Sequence, residues 1–270
     1  MRIALGLEYD GASFHGWQSQ ADGSGVQDAV EKALTQIANA PLAAIGAGRT
    51  DSGVHATMQI AHFDTDALRP DSAWVRGVNA LLPEAIAVLW AMPVSVEFHA
   101  RFSATGRHYT YLLVDCPVRP ALRSGKVGWY HLPLSVEAMR EAADALYGKL
   151  DFSAFRAAEC QAQSPVRLLD KLEISREGNM VRFDFHADGF LHHMIRNIVG
   201  SLVYVGNGRK PPGWIAELVA GRDRTRAAPT FSSAGLYLTG IDYPVRWNLP
   251  TTLAPLPPLH FTPGQHANAR

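Results

Sequence analysis

The sequence has little of several things. It holds two cysteines in 270 residues, Cys116 and Cys160, without CxxC spacing, which excludes a disulfide framework and fits a reducing compartment. No stretch approaches the ~18 consecutive apolar residues of a membrane span. The opening Met1-Arg2-Ile3 runs straight into a strand pattern without a signal-peptide layout. The expectation is a cytoplasmic protein with no membrane association. Net charge is missing too, because 25 Lys and Arg balance 25 Asp and Glu. Taken alone, neutrality argues against a nucleic-acid partner. Lysine is scarce at 5 of the 25 bases, and the other 20 are arginines. Arginine suits bidentate phosphate contacts and stacking on bases, although a GC-rich genome produces the same bias.

What is present fits a compact α+β protein. Apolar residues make up 47% and charged residues 19% of the chain, so it is not predominantly disordered. At about 1.8 times the ~150-residue domain prior, two modest subdomains or one large unit are expected. The neutrality is a cancellation. Residues 1–98 carry 5 bases against 11 acids, whereas residues 99–246 carry 19 against 14.

Periodicity predicts strands at Ile3–Tyr9, Val54–Phe63 and Ile86–Val96, with a weak one at Leu42–Ile45. It predicts helices from Gly25 to about Ala38 and at Asp71–Leu82. A related order follows Arg101: a strand at Arg107–Val114, a helix at Ser135–Tyr147, then strands at Lys171–Ser175 and Met180–His186. Helices at Phe190–Val205 and Pro212–Ala220 precede a last strand at Leu236–Asp242. The expected architecture is two similar subdomains, 1–103 and 104–246, each a mainly antiparallel sheet with helices on one face. A cleft between them would take the ligand. Residues 247–270 hold 5 prolines and no acid, so an extended, weakly ordered tail is expected.

The most unusual run is LAAIGAGRTDSGVHA, Leu42 to Ala56. Gly46-Ala47-Gly48 after a strand suggests a dinucleotide fingerprint, but the third small position is Asp51 and the next residues read as a strand. What remains is a glycine-bracketed loop presenting Arg49, Thr50 and Asp51; physically, a turn with Asp51 bonding its own backbone is the commoner explanation. YDGASFHGWQ, Tyr9 to Gln18, reads as an aromatic turn capping the core. HFDTD (His62 to Asp66) and His192-His193 could supply metal ligands, but no recognised ligand spacing occurs. Arg196 lies at the edge of an apolar stripe of Leu191, Ile195, Ile198, Leu202 and Val205. There it needs a carboxylate partner or a route to solvent. Strand alternation puts Arg107, Tyr109, Tyr111 and Leu113 on one face.

Six runs taken together resemble the tRNA pseudouridine synthase A family: YDGASFHGWQ, GRTDSGVHA, FHARFSATGRHYTY, DFSAFR, FLHHMIRNIVGSLVYVGNG and APTFSSAGLYL. They occur in the family's order from Tyr9 to Leu238. One departure is Leu150, where the family commonly has His before DFSAF. The resemblance implies the pseudouridine synthase fold. It also implies isomerisation of uridine to pseudouridine at positions 38 to 40 of the tRNA anticodon arm, by a homodimer needing no cofactor or metal. By the same resemblance Asp51 is the essential carboxylate, acting as nucleophile or base, and Tyr109 is the active-site tyrosine. Arg196 is its pairing arginine, and Arg49 enters the RNA as the base leaves; His15 and Gln18 join Arg49 and Tyr109 as substrate contacts. The rival readings are a non-catalytic RNA-binding protein and a metal-dependent hydrolase built on the His and Asp clusters.

Overall fold

The computed structural model describes residues 1–250, 252–254 and 256. Of the expected weakly ordered tail, 247–270, the residues 247–250, 252–254 and 256 are described, and there Thr252 and Ala254 hydrogen-bond Ile241 and Thr239 of the last strand (2.9 and 3.0 Å); the rest lies outside the described residues. The first part of the chain forms β1 (Arg2–Tyr9), α1 (Val26–Ala38), β2 (Ile45–Gly46), β3 (His55–Asp64) and β4 (Ile86–Val94). The second forms β5 (Gly106–Asp115), β6 (Gly128–Tyr130), α2 (Val136–Ala143), β7 (Gly148–Asp151) and β8 (Val166–Glu177). It continues through β9 (Met180–Ala187), α3 (Met194–Gly206), α4 (Trp214–Gly221) and β10 (Leu236–Asp242).

Local chemistry explains where helices begin and end. The Asp28 carboxylate accepts the Gly25 N–H at the start of α1 (2.9 Å), and Asn39 closes the helix in the left-handed region at φ 56°. Ser135 caps α2 by accepting from the Ala138 N–H (3.1 Å). The expected helix at Asp71–Leu82 is instead a short π-helical turn, Ala73–Gly77, with brief helical flanks. Trp74 is its buried anchor, and its ring meets Phe63 of β3 at 5.1 Å between centroids.

The strands join in one ten-stranded sheet of order β4-β1-β3-β10-β5-β9-β8-β7, with β2 on β3 and β6 on β5. Two separate sheets were expected from the sequence. The difference comes from β10, the last strand in the chain, which lies between the first part and the second. It runs antiparallel to β5 and parallel to β3, the latter through only two residue pairs, Tyr237 with His55 and Leu238 with Ala56. Hydrophobic period shows which face of a strand is buried but not which strand becomes its neighbour. Helices α1 to α4 pack on one large core. Leu112, Val114, Val127, Met180 and Tyr237 form a smaller cluster on the reverse face. The two clusters share β5 by alternation: Tyr109, Tyr111 and Leu113 point to the first, Leu112 and Val114 to the second.

His62 of HFDTD is a core residue, 2% exposed. Its Nδ1 accepts the Ala100 N–H (3.1 Å), while Asp64 pairs with Arg2 (2.7 Å). The two side chains have separate partners and build no metal site together. Burial pushes the His62 ring down to about 4, with the Arg2 charge adding to the effect. The unfolded ring protonates near 6.5 and the folded ring only near 4, so its contribution is intact above about pH 6.5. That contribution is lost as pH falls toward 4, by up to about 3 kcal/mol. Urea unfolding at pH 7 and pH 5 should show this loss in the wild type. His62→Gln should be less stable at pH 7 but flatter between the two; an equally steep loss in the variant would contradict the assignment.

Candidate active site

Asp51 stands in the loop between β2 and β3, which is held from several sides. The buried Gln59 side chain donates to the Gly48 carbonyl (2.7 Å) and accepts the Gly48 N–H (3.3 Å), while the Ala47 N–H reaches Ile60 (2.7 Å). The Thr50 hydroxyl bonds the buried Tyr9 phenol (2.8 Å), and the Thr50 carbonyl accepts the Trp17 N–H (3.1 Å). YDGASFHGWQ is thus the buttress of the Asp51 loop. Gly16 shows why that run contains glycine: its φ is +88°, and a Cβ would lie 2.4 Å from the Thr50 carbonyl oxygen. Arg107 braces the loop from β5, donating to the carbonyls of Ala47 (3.3 Å), Arg101 (2.9 Å) and Asp188 (2.9 Å).

The Asp51 side chain turns away from its own backbone. Its Oδ2 accepts from Arg196 Nη1 at 2.9 Å, and the Nε2 atoms of His192 and His193 stand 3.5 Å from Oδ1 and Oδ2 respectively. Arg196 lies in the first turn of α3, which is buried nearly all round. Its Nε donates to the Phe231 carbonyl (2.8 Å), and the Phe231 N–H returns to the Arg196 carbonyl (3.3 Å). The segment before β10 therefore orients the guanidinium. His193 enters α3 in the left-handed conformation, φ 62°. Burial lowers the His193 pKa against the opposing pull of Asp51, which leaves Arg196 as the permanent cation at the carboxylate.

Tyr109 lies on β5, 8% exposed, with Phe190 edge-on at 5.2 Å between centroids. Its hydroxyl would sit 3.8 Å from a Cβ placed on Gly48, so the phenol end reaches the Asp51 loop. Burial raises its pKa; the Tyr9 and Asp51 charges raise it further, and Arg107 opposes them. The ring is a neutral phenol. Arg49 is exposed and extends to Gln161 Oε1 (3.3 Å). Gln161 belongs to a loop closed by Arg156 of DFSAFR, whose Nη2 donates to the Ala162 carbonyl (2.8 Å). His15 and Gln18 turn elsewhere: His15 bonds Ser24 (2.9 Å) and Gln18 bonds Gln27 (3.0 Å). Leu150, on β7, packs at the margin of the main core.

The sequence reading did not bring His192 and His193 to Asp51, nor recognise Arg107 as a brace. Both histidines lie three to four residues before Arg196, a spacing that shares one side of a helical turn and could have suggested the grouping. Asp51, His192 and His193 have donor atoms close enough to share a cation. Arg196 already occupies the carboxylate, however, and a divalent ion there would have to displace or face a guanidinium.

A sequence profile described as tRNA pseudouridine synthase matches residues 7–103 and 142–244. The chain belongs to the tRNA pseudouridine synthase family. It is 60% identical over 250 residues to a protein of Thiobacillus denitrificans named tRNA pseudouridine synthase A, covering 93% of this chain and 96% of that one. It is 58% identical over 250 residues to a Dechloromonas aromatica protein of the same name, covering 93% and 95%. A third so named, from Chromobacterium violaceum, is 60% identical over 252 residues, covering 93% and 96%. Among the family-matched stretches, the first contains Asp51 and the second Arg196, while Tyr109 lies in the interval between them.

The buttress can be tested without reference to activity. Gly16→Ala should destabilise the protein by about 1–3 kcal/mol, from positive-φ strain plus the clash. Gly23→Ala, also at positive φ (+73°) but with nothing within 4 Å of its Cβ, should cost only the strain of about 1 kcal/mol. Chemical denaturation measures both; equal losses would show that the close approach to Thr50 is unimportant.

Proposed function

We propose that this protein isomerises uridine to pseudouridine at positions 38, 39 and 40 in the anticodon arm of tRNA. The observation that carries the reading is one half-buried carboxylate, Asp51, presented by a braced loop and held by Arg196 at 2.9 Å. RNA binding alone has no use for a carboxylate facing a polyanion. The C1′–N1 bond breaks, the uracil turns, C1′ joins C5, and the proton on C5 leaves as N1 gains one. Atoms and electrons balance within the nucleoside, so the reaction requires no redox partner or phosphate donor.

Each side chain has a part that follows from its setting. Asp51 acts on the ribose, either at C1′ as nucleophile or on a sugar proton as base. Arg196 aims the carboxylate and balances its charge when substrate excludes water. Tyr109 supplies a flat surface for the extruded uracil. As a neutral buried phenol it takes the C5 proton only while passing its own onward, and the Asp51 carboxylate is the acceptor whose charge reaches it. Arg49, exposed at the edge of the loop, fills the gap in the base stack and offsets part of the few kcal/mol that flipping costs. His15 and Gln18, on the outer side of the buttress, contact the RNA away from the reacting base.

The same reading divides the chain into an acidic subdomain, 1–103, that carries Asp51, and a basic one, 104–246, that carries Tyr109 and Arg196. It takes the active form to be a cytoplasmic homodimer with tRNA lying across both copies, which sedimentation at twice the chain mass would support. Asp51→Asn should abolish tritium release from C5-labelled uridine in tRNA while binding stays within a few-fold of wild type; substantial turnover would overturn the assignment. Affinity for tRNA should fall steeply between about 50 and 200 mM salt through counterion release. A flat response would remove the basic RNA-binding face.

A further inference from the structure

On the reverse face of the sheet, away from Tyr109, three adjacent strands bring two histidines and a carboxylate together. His108 of β5 and His186 of β9 are directly paired across the ladder, and Asp242 of β10 lies opposite Gly106 of β5. His108 Nε2 stands 2.9 Å from Asp242 Oδ1, and His186 Nε2 stands 2.7 Å from Oδ2. The other ring nitrogen of His186 meets the Asp170 carboxylate. We propose that His108, His186 and Asp242 form a structural binding site for one zinc-class divalent ion, oriented by Asp170.

Two features support a metal over a simple polar cluster. Two imidazole nitrogens and one carboxylate oxygen, with all donor atoms within 4.8 Å of one another, are a donor set for zinc-class ions rather than for magnesium or calcium. The link from a carboxylate to the outer nitrogen of a ligating ring is the arrangement that fixes a zinc-bound histidine, here through Asp170.

Space has been left where the donors converge. A Cβ on Gly106 would lie 2.3 Å from His186 Nε2 and 2.6 Å from Asp242 Oδ2, so any side chain there would intrude on the donor atoms. Zinc bonds of ~2.0–2.2 Å in tetrahedral geometry set ligand atoms roughly 3.3 Å apart. The observed 2.7–2.9 Å separations need to open by about half an ångström, within the reach of small rotamer adjustments. The three donors are partly exposed, at 26%, 20% and 36%, so an ion can enter and a water can complete the shell. Its two positive charges would be balanced by Asp242 and Asp170. The bound ion would tie β5, β9 and β10 together beside the junction of the two parts of the sheet.

The test uses the full chain, stripped with EDTA and titrated with Co²⁺ and then Zn²⁺. One Co²⁺ per chain should bind, give the visible absorption of a four- or five-coordinate site, and be displaced by Zn²⁺. His108→Gln should weaken binding by roughly 100-fold or more, and Asp170→Asn by about 10–100-fold, while His192→Gln should leave it unchanged. Failure of the wild type to bind would overturn the proposal. So would loss of the ion with His192→Gln and its retention in His108→Gln, which would move it to the Asp51 cluster. If His108→Gln does not fold, Asp170→Asn decides, because Asp170 is not itself a ligand; unchanged affinity in that variant would overturn the proposal.

Discussion

The contact between Asp51 and Arg196, 145 residues apart in the chain, is the constraint around which the site is organised. A half-buried carboxylate is costly unless its charge is met, and the permanent cation that meets it comes from the first turn of α3. Satisfying that one pair requires several things at once. The β2–β3 loop must stand up from the sheet, α3 must begin where it does, and the segment before β10 must offer the Phe231 carbonyl to Arg196. The Tyr9–Gln18 turn and Arg107 prevent the loop from relaxing. Most of the motifs that are conspicuous in the sequence can be understood as parts of this support.

The sheet supplies the frame that makes the contact possible. Had the two parts been separate sheets, the separation of Asp51 from Arg196 would depend on their docking. Because β10 pairs with both β3 and β5, that distance is set largely by backbone hydrogen bonds. The parallel join of β10 to β3 is short, only two residue pairs, and the Asp51–Arg196 ion pair adds a second tie between the parts. Asp51, Arg196 and Tyr109 lie on the helix-covered side, whereas the reverse face holds a cluster of another kind at His108, His186 and Asp242.

Much of this was legible in the residues, for identifiable reasons. Strands β1, β3, β5, β9 and β10 and helix α1 have lengths and periods that local pattern detects, and Leu236–Asp242 came out with its observed limits. Strands β6 and β7 have three and four residues, too few for a period to register. The 71–82 segment has helical spacing but settles into a π turn so that Trp74 can reach Phe63. The central place of β10 was invisible because sheet order is decided by tertiary packing. In the site, six motif runs in order pointed to Asp51, Tyr109 and Arg196, whereas the two histidines carry only the weaker signal of their spacing from Arg196. The neutral net charge was the most misleading quantity, since it averaged an acidic part with a basic one.

The central claim is that the Asp51–Arg196 pair couples the two parts of the chain, and a double-mutant cycle in urea unfolding tests it most directly. Asp51→Asn, Arg196→Gln and the double variant, measured against wild type at neutral pH, should show a coupling energy of about 1–3 kcal/mol, as partly buried ion pairs in one network do. Losses that simply add, to within about 0.3 kcal/mol, would contradict the account.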